Sequence, residues 1–167
     1  MTPSLYVETS ALLSVLLERD KSITRTLRTA RKHVTSALTY LEADRAIRRA
    51  LREGRIASIS GPLANLRAFE RAADTLTISD EILQGARREF PKEPVRSLDA
   101  IHLASLVFWS NEVGPVELLS TDLRVRTNAE HLGFRVLPNQ ASPGEGRGRR
   151  VKREWAYEER LGRPRPR

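Results

Sequence analysis

Short apolar runs alternate with longer segments of helical periodicity over the first 140 residues, and this alternation restricts the possible folds most strongly. The runs predict strands near residues 5–7, 33–36, 76–78, 116–119 and 134–137. The segments between them predict helices over residues 11–17, 21–32, 39–53, 63–73, 80–89, 96–106 and 122–132. Parallel sheets built from such alternation are covered on both faces. We therefore predict an α/β fold, with three α/β/α layers around a central, mostly parallel sheet of four to five strands.

Composition excludes several classes of protein. The chain has 167 residues and contains no cysteine, so disulfides, thiolate nucleophiles and cysteine-based metal centres are ruled out. No apolar run approaches membrane-spanning length, and the first residues lack the basic segment of a signal peptide. The sequence therefore predicts a cytoplasmic protein without a membrane partner.

Positive charge is concentrated at the C-terminal end of the chain. The formal net charge is +8, and residues 141–167 contain nine Lys or Arg against four Glu. The change in composition predicts a domain over residues 1–140 and a basic, partly flexible tail over 141–167. In the tail, Trp155 and Tyr157 are equally compatible with stacking on RNA bases and with docking onto the domain. Arginines on the second and third predicted helices indicate a solvated face or a rim that guides phosphates.

Four acidic residues are expected to meet at one edge of the sheet: Glu8, Glu42, Asp99 and Asp122. Glu8 and Asp122 directly follow predicted strands, and ligands of parallel sheets bind beyond the carboxyl ends of the strands. Glu42 lies early in the helix after the second strand. Asp99 lies in the first turn of the helix over 96–106, where the helix dipole favours a carboxylate. Oxygen ligands of this kind suit Mg²⁺ or Mn²⁺, and the hydroxyls of Ser10 and Thr121 are available to support them.

Neighbouring polar residues are expected to serve structure. His102, one turn after Asp99, is predicted to be a packed histidine satisfied by a backbone group or a carboxylate. Asp44 is two residues from Glu42 and so lies on a different helix face, where Arg48 is its expected partner.

Apolar residues on the helices give the expected packing faces. Leu98, Ile101, Leu103, Leu106 and Val107 predict a broad buried face for the central helix, with Ser97 as its N-cap. Leu41, Ile47 and Leu51 are predicted to point inward from the third helix. A further set on the early helices fits either the core or a docking face for a second copy or a partner helix: Leu13, Leu16, Leu17 and Ile23.

Four motifs resemble those of the PIN domain, the ribonuclease fold of VapC-type toxins from toxin–antitoxin modules. In chain order they are YVETSAL over residues 6–12, TSALTYLEA over 35–43, SLDAIHLA over 97–104 and LSTDLR over 119–124. The resemblance spans residues 4–137. It implies an endoribonuclease that uses Mg²⁺ or Mn²⁺ to hydrolyse RNA phosphodiester bonds, acts as a toxin with a cognate antitoxin, and forms a homodimer. The residues implied to bind metal and catalyse are Glu8, Glu42, Asp99 and Asp122.

One position departs from the family pattern. The first acid of PIN domains is usually Asp, whereas this chain has Glu8. The extra methylene moves the carboxylate, and Mg²⁺ requires near-ideal octahedral geometry. An alternative is therefore a weakened or inactive relative that acts as an RNA- or protein-binding module. A receiver-like signalling domain shares the acid placement, but it requires a lysine after the last strand, and residues 137–140 supply none.

Overall fold

The structure, a computed structural model, describes residues 2–139. The predicted tail, with Trp155 and Tyr157, lies outside these residues. Within them the chain forms five strands and seven helices. Their bounds in chain order are β1 Ser4–Val7, α1 Thr9–Leu16, α2 Lys21–Thr29, β2 His33–Ser36, α3 Ala37–Arg52, α4 Ser60–Ala72, β3 Asp74–Leu76, α5 Asp80–Ala86, α6 Ser97–Glu112, β4 Val116–Leu119, α7 Leu123–His131 and β5 Val136–Leu137.

All five strands are parallel and lie in the order β3-β2-β1-β4-β5. The chain builds the sheet outward from β1 through β2 and β3, and then returns to add β4 and β5 on the other side. The order reverses between β1 and β4, and such a switch point is where α/β sheets form ligand sites. The predicted fold class is confirmed.

Two apolar clusters occupy the two faces of the sheet. Side chains alternate along β1, so Leu5 and Val7 pack into one cluster and Tyr6 into the other. The first cluster takes buried residues from α1 to α4, including Ile47, and the second takes them from α6 and α7, including Leu103. This arrangement gives the three layers that the sequence predicts.

Local signals explain most helix boundaries. Ser36 and Ser79 cap α3 and α5 through their hydroxyls, which accept hydrogen bonds from Leu38 N and Ile82 N, both at 3.3 Å. Gly54 follows α3 with φ +69°, a conformation that favours glycine. Ser97 was expected to cap α6, but the N-cap is Arg96, without a side-chain hydrogen bond.

Several predicted boundaries differ from the structure. The strand expected at 76–78 lies at Asp74–Leu76, because pairing with β2 fixes the register of this edge strand. The break expected near Gly61 lies inside the first turn of α4, where the missing N–H of Pro62 costs nothing. α5 ends at Ala86, and β5 is limited to Val136–Leu137.

Three leucines expected in the interior are exposed. Leu41 is 61% and Leu51 is 39% exposed, because the inward stripe of α3 runs through Ala43, Ala46, Ile47 and Ala50 instead. Leu98, in the first turn of α6, is 46% exposed and lies outside the core. On the early helices, by contrast, Leu16 and Ile23 are buried and Leu13 and Leu17 pack against the same cluster, so these residues contribute to the core.

Within residues 2–139, no helix combines the length and the apolar character that a membrane span requires.

Candidate active site at the carboxyl edge of the sheet

The site begins at the switch point, where Glu8 follows β1 and Asp122 lies three residues after the end of β4. β1 and β4 are paired from Ser4↔Val116 to Val7↔Leu119, so the segments after both strands emerge side by side. Glu42 is carried by α3, which follows the neighbouring strand β2, and Asp99 by the first turn of α6. The fold therefore directs all four acid-bearing segments to one edge of the sheet.

Glu8 is buried, with 5% exposure, and both of its carboxylate oxygens accept hydrogen bonds. Oε1 accepts from the backbone N–H of Ser10 at 3.1 Å, so Glu8 caps its own helix α1. Oε2 accepts from the Ser10 hydroxyl and from the Ser120 hydroxyl, the latter at 2.8 Å. These bonds hold the longer side chain of Glu8 against the ends of both strands.

Ser10 connects Glu8 to the Asp122 segment. Its Oγ accepts hydrogen bonds from the backbone N–H groups of Thr121 at 2.9 Å and Asp122 at 3.1 Å. Asp122 in turn caps α7 through Oδ1, which accepts from two backbone N–H groups. The side chain of Thr121 is exposed, and the second hydroxyl that contacts Glu8 belongs to Ser120.

Sequence reasoning passed over Ser120, although it directly follows the buried strand β4 at the same edge as Glu8. It also passed over Arg126, which is buried with 4% exposure. Arg126 forms hydrogen bonds with the backbone at the ends of β4 and β5. Arg126 donates from Nη1 to Ser120 O at 2.6 Å and Leu137 O at 2.9 Å, and from Nη2 to Pro138 O at 2.9 Å. An arginine inside a polar helix carries no local signal for this role.

Glu42 is held by two side chains that converge on one of its oxygens. Oε2 accepts from the Thr9 hydroxyl at 2.5 Å and lies 2.8 Å from Nε2 of the buried His102. Burial raises the pKa of the Glu42 carboxyl, but the hydrogen bonds from His102 and Thr9 outweigh it, and the net pKa is lowered. Glu42 is therefore an ionised carboxylate near neutral pH. The expectation that His102 is a packed histidine satisfied by a carboxylate agrees with this geometry.

Asp99 differs from the other acids because one of its oxygens, Oδ2, is both buried and without a hydrogen-bond donor within residues 2–139. The pKa of Asp99 is raised by burial and then by the negative charges of Asp122 and Glu8. Asp99 is therefore within electrostatic range of Asp122 and Glu8.

The structure thus gathers Glu8, Asp99 and Asp122 into one electrostatic cluster. Glu42 adjoins it through Thr9, the residue after Glu8, and through His102, one turn after Asp99. Within the described part of the chain, no three acidic or histidine side chains form a preassembled group of metal ligands. Mg²⁺ takes only one or two carboxylates directly and retains water. A buried, unpartnered carboxylate oxygen among like charges fits that requirement.

Asp44 lies outside this cluster, as expected. It forms an exposed pair with Arg48 on α3, with Nε and Oδ2 2.7 Å apart.

The parallel sheet, the helices on both faces and the acidic switch point define a PIN-type α/β protein. No family model matches the chain. Ribonuclease VapC35 of Mycobacterium tuberculosis (strain CDC 1551 / Oshkosh) is 35% identical over 149 residues, which cover 86% of this chain and 99% of that protein. The chain belongs to the VapC ribonuclease family, as the four motifs indicate.

Solved structures share the fold at lower sequence identity. The VapBC2 complex of Rickettsia felis, bound to a DNA fragment from its promoter, gives a TM-score of 0.57 at 8% identity, covering 80% of this chain and 96% of that chain. A toxin–antitoxin complex from Klebsiella pneumoniae gives a TM-score of 0.51 at 17% identity, covering 71% and 86%. At such identities the likeness concerns the fold alone.

Proposed function

We propose that this protein is a metal-dependent endoribonuclease that hydrolyses RNA phosphodiester bonds and acts as the toxin of a toxin–antitoxin pair. The observation that carries the proposal is the buried, unpartnered Oδ2 of Asp99 next to the charges of Glu8 and Asp122. A cation bound there would satisfy the oxygen and remove the repulsion. The identity to a ribonuclease over nearly its whole length supports RNA as the substrate.

The cation is Mg²⁺ or Mn²⁺, because the available ligands are carboxylate oxygens. When bound, such an ion neutralises charge that develops on the phosphodiester and lowers the pKa of water. We assign Asp99 and Glu42 as the pair that holds the ion or orients the attacking water. Glu8 and Asp122 complete the acidic cluster, with Ser10 as a supporting hydroxyl and Thr121 as a supporting backbone donor.

Positively charged residues of α2 and α3 are available to bind the RNA backbone. Lys21, Arg25 and Arg28 of α2 line an open cleft of about 490 Å³, and none of them forms a salt bridge within residues 2–139. Exposed arginines also lie along α3, including Arg45 and Arg49. Such cations bind phosphates without reading sequence. We assign them to guiding the RNA backbone.

The protein partners are a cognate antitoxin and a second copy of the chain. The antitoxin follows from membership of the VapC family and from the shared fold with a toxin–antitoxin complex. The apolar residues of α1 and α2 pack in or against the core, and Leu13 and Leu17 keep partial exposure that a homodimer can use. Sedimentation of the isolated chain tests the dimer.

A second candidate function is a weakened nuclease that mainly binds RNA or protein. The observation in its favour is that both oxygens of Glu8 already accept hydrogen bonds from Ser10 and Ser120. These hydrogen bonds occupy the Glu8 carboxylate. An aspartate at this position that accepted fewer hydrogen bonds would be freer to contact an ion.

Cleavage of structured RNA in Mg²⁺, Mn²⁺ or EDTA distinguishes the two candidates. We expect cleavage by the unaltered chain with metal only, and a loss of about 10²-fold or more in Asp99→Asn. Asp44→Asn is the matched control, because Asp44 is an exposed carboxylate outside the cluster and should retain activity. If neither the unaltered chain nor Glu8→Asp cleaves while both bind RNA, the nuclease proposal is wrong and the second candidate stands.

A further inference from the structure

His102 is almost fully buried, with 2% exposure, and its two ring nitrogens join β1, α1 and α3. Nδ1 lies 3.0 Å from the Tyr6 hydroxyl. Nε2 lies 2.8 Å from Glu42 Oε2 and 3.1 Å from Thr9 Oγ1. The ring therefore sits between the core of the domain and one acid of the site.

The hydrogen bonds determine which nitrogen carries a proton. Glu42 Oε2 already accepts from Thr9, and an ionised carboxylate has no proton to donate. Nε2 must therefore carry hydrogen and donate to Glu42. Burial raises the pKa of the Tyr6 hydroxyl, so Tyr6 keeps its proton and can donate to Nδ1. An imidazole with hydrogen on Nε2 completes the network.

Both donors to Glu42 act on the same oxygen. Oε1 accepts no hydrogen bond from residues 2–139, and the Glu42 side chain keeps 24% exposure. The carboxylate is thus fixed through Oε2, while Oε1 stays available at the acidic edge. Partners behind metal-binding groups commonly change metal affinity or activity by about 10–100-fold when removed.

We propose that His102 is a positioning residue that, backed by Tyr6, fixes the Glu42 carboxylate through Oε2 and leaves Oε1 for the cation or the attacking water. The proposal rests on the ribonuclease function proposed above. A histidine that only fills space would need no donor at Nε2. A histidine that positions Glu42 requires a hydrogen on Nε2 that it donates to Glu42 Oε2.

Two substitutions separate these roles. The amide nitrogen of a glutamine lies near the position of Nε2, whereas that of an asparagine lies nearer Nδ1. We expect His102→Asn to lower kcat by about 10²-fold with little change in KM for RNA, and to weaken Mn²⁺ binding about 10-fold. His102→Gln should recover most of both losses. His131→Asn, at an exposed histidine of α7, is the matched control and should change neither.

Mn²⁺ binding is measured by electron paramagnetic resonance, independently of cleavage, and thermal melts monitor folding. If the unaltered chain binds Mn²⁺ but does not cleave RNA, the proposed function fails, while the order of Mn²⁺ affinities still decides the role of His102. Equal Mn²⁺ affinity in the unaltered chain and His102→Asn overturns the proposal, as does equal loss in both variants.

Nitrogen-15 NMR of the unaltered chain provides a test that needs no variant. The proposal requires the His102 signals of an imidazole with hydrogen on Nε2. Signals from a neutral ring with hydrogen on Nδ1 alone overturn it, even if both variants fail to fold.

Discussion

Replacing Asp99 by asparagine should stabilise the metal-free protein, although most substitutions destabilise. Asp99 has a buried oxygen without a partner and is repelled by Asp122 and Glu8. Asparagine keeps the shape and removes the charge. Because Asp99 is only partly buried, solvent screens the repulsion, and we expect a gain of about 1 kcal/mol in the free energy of unfolding. For a domain of this size that gain raises Tm by roughly 2–5 °C.

The gain should depend on pH in a defined direction. The pKa of Asp99 is raised above its ordinary value of 3.8. Between pH 3.8 and the raised pKa of the folded state, the folded protein binds more protons than the unfolded protein. The contribution of Asp99 to stability therefore falls as pH rises through this range. Asparagine does not titrate. The advantage of Asp99→Asn should therefore be absent well below pH 3.8 and increase toward neutral pH.

Calorimetry in EDTA and in saturating Mn²⁺ tests both consequences. At a Mn²⁺ concentration about 100 times Kd, binding should stabilise the unaltered chain by about 2.7 kcal/mol, and Asp99→Asn should lose most of this effect. Asp44→Asn should keep the Mn²⁺ effect and gain nothing in EDTA. Suppose that Asp99→Asn melts at the same temperature as the unaltered chain in EDTA and responds equally to Mn²⁺. Asp99 then neither destabilises the metal-free protein nor binds the cation.

Three further substitutions test the support of the site, each by urea denaturation. Ser120→Ala removes the 2.8 Å hydrogen bond to Glu8 and should cost about 1–2 kcal/mol. Arg126→Met removes three hydrogen bonds to backbone carbonyl groups and should cost about 2–4 kcal/mol, whereas a change within 0.5 kcal/mol would contradict its role. Leu103→Ala opens a cavity at a fully buried position of α6 and should cost about 2–5 kcal/mol.

The fold class was predictable because it depends on patterns that are local in the chain. Short apolar runs such as Val116–Leu119 favour strands when helical segments flank them, and this alternation favours a parallel sheet. Boundaries were less predictable. β3 is an edge strand, and its position depends on pairing with β2, a contact distant in sequence.

The interior faces of the helices were predictable only in part. Leu41, Leu51 and Leu98 are apolar, but their exposure is decided by which neighbours bury the opposite face. On α3, small residues such as Ala43 and Ala50 allow close packing, so the buried stripe does not follow the largest side chains. Periodicity indicates that a helix has a buried face. It does not determine how the helix is rotated about its axis relative to the core.

The positions of the acids were predictable, but their partners were not. Glu8 and Asp122 follow strands, which places them at the carboxyl edge from sequence alone. The contacts of Thr9 with Glu42 and of Ser120 with Glu8 join residues 33 and 112 positions apart. Such contacts depend on the strand order, in which β1 lies between β2 and β4. A single sequence does not specify that order.

The partners of the acids explain why one of them is suited to a ligand. Glu8 and Asp122 cap helices and accept backbone N–H groups, and Glu42 accepts from Thr9 and His102. Protein donors thus reach at least one oxygen of each of these three carboxylates without a cation. The remaining repulsion falls on Asp99, the acid with a buried oxygen that lacks a partner. A cation of the kind proposed above would therefore be stabilised most by Asp99, the acid whose buried oxygen has no donor within residues 2–139.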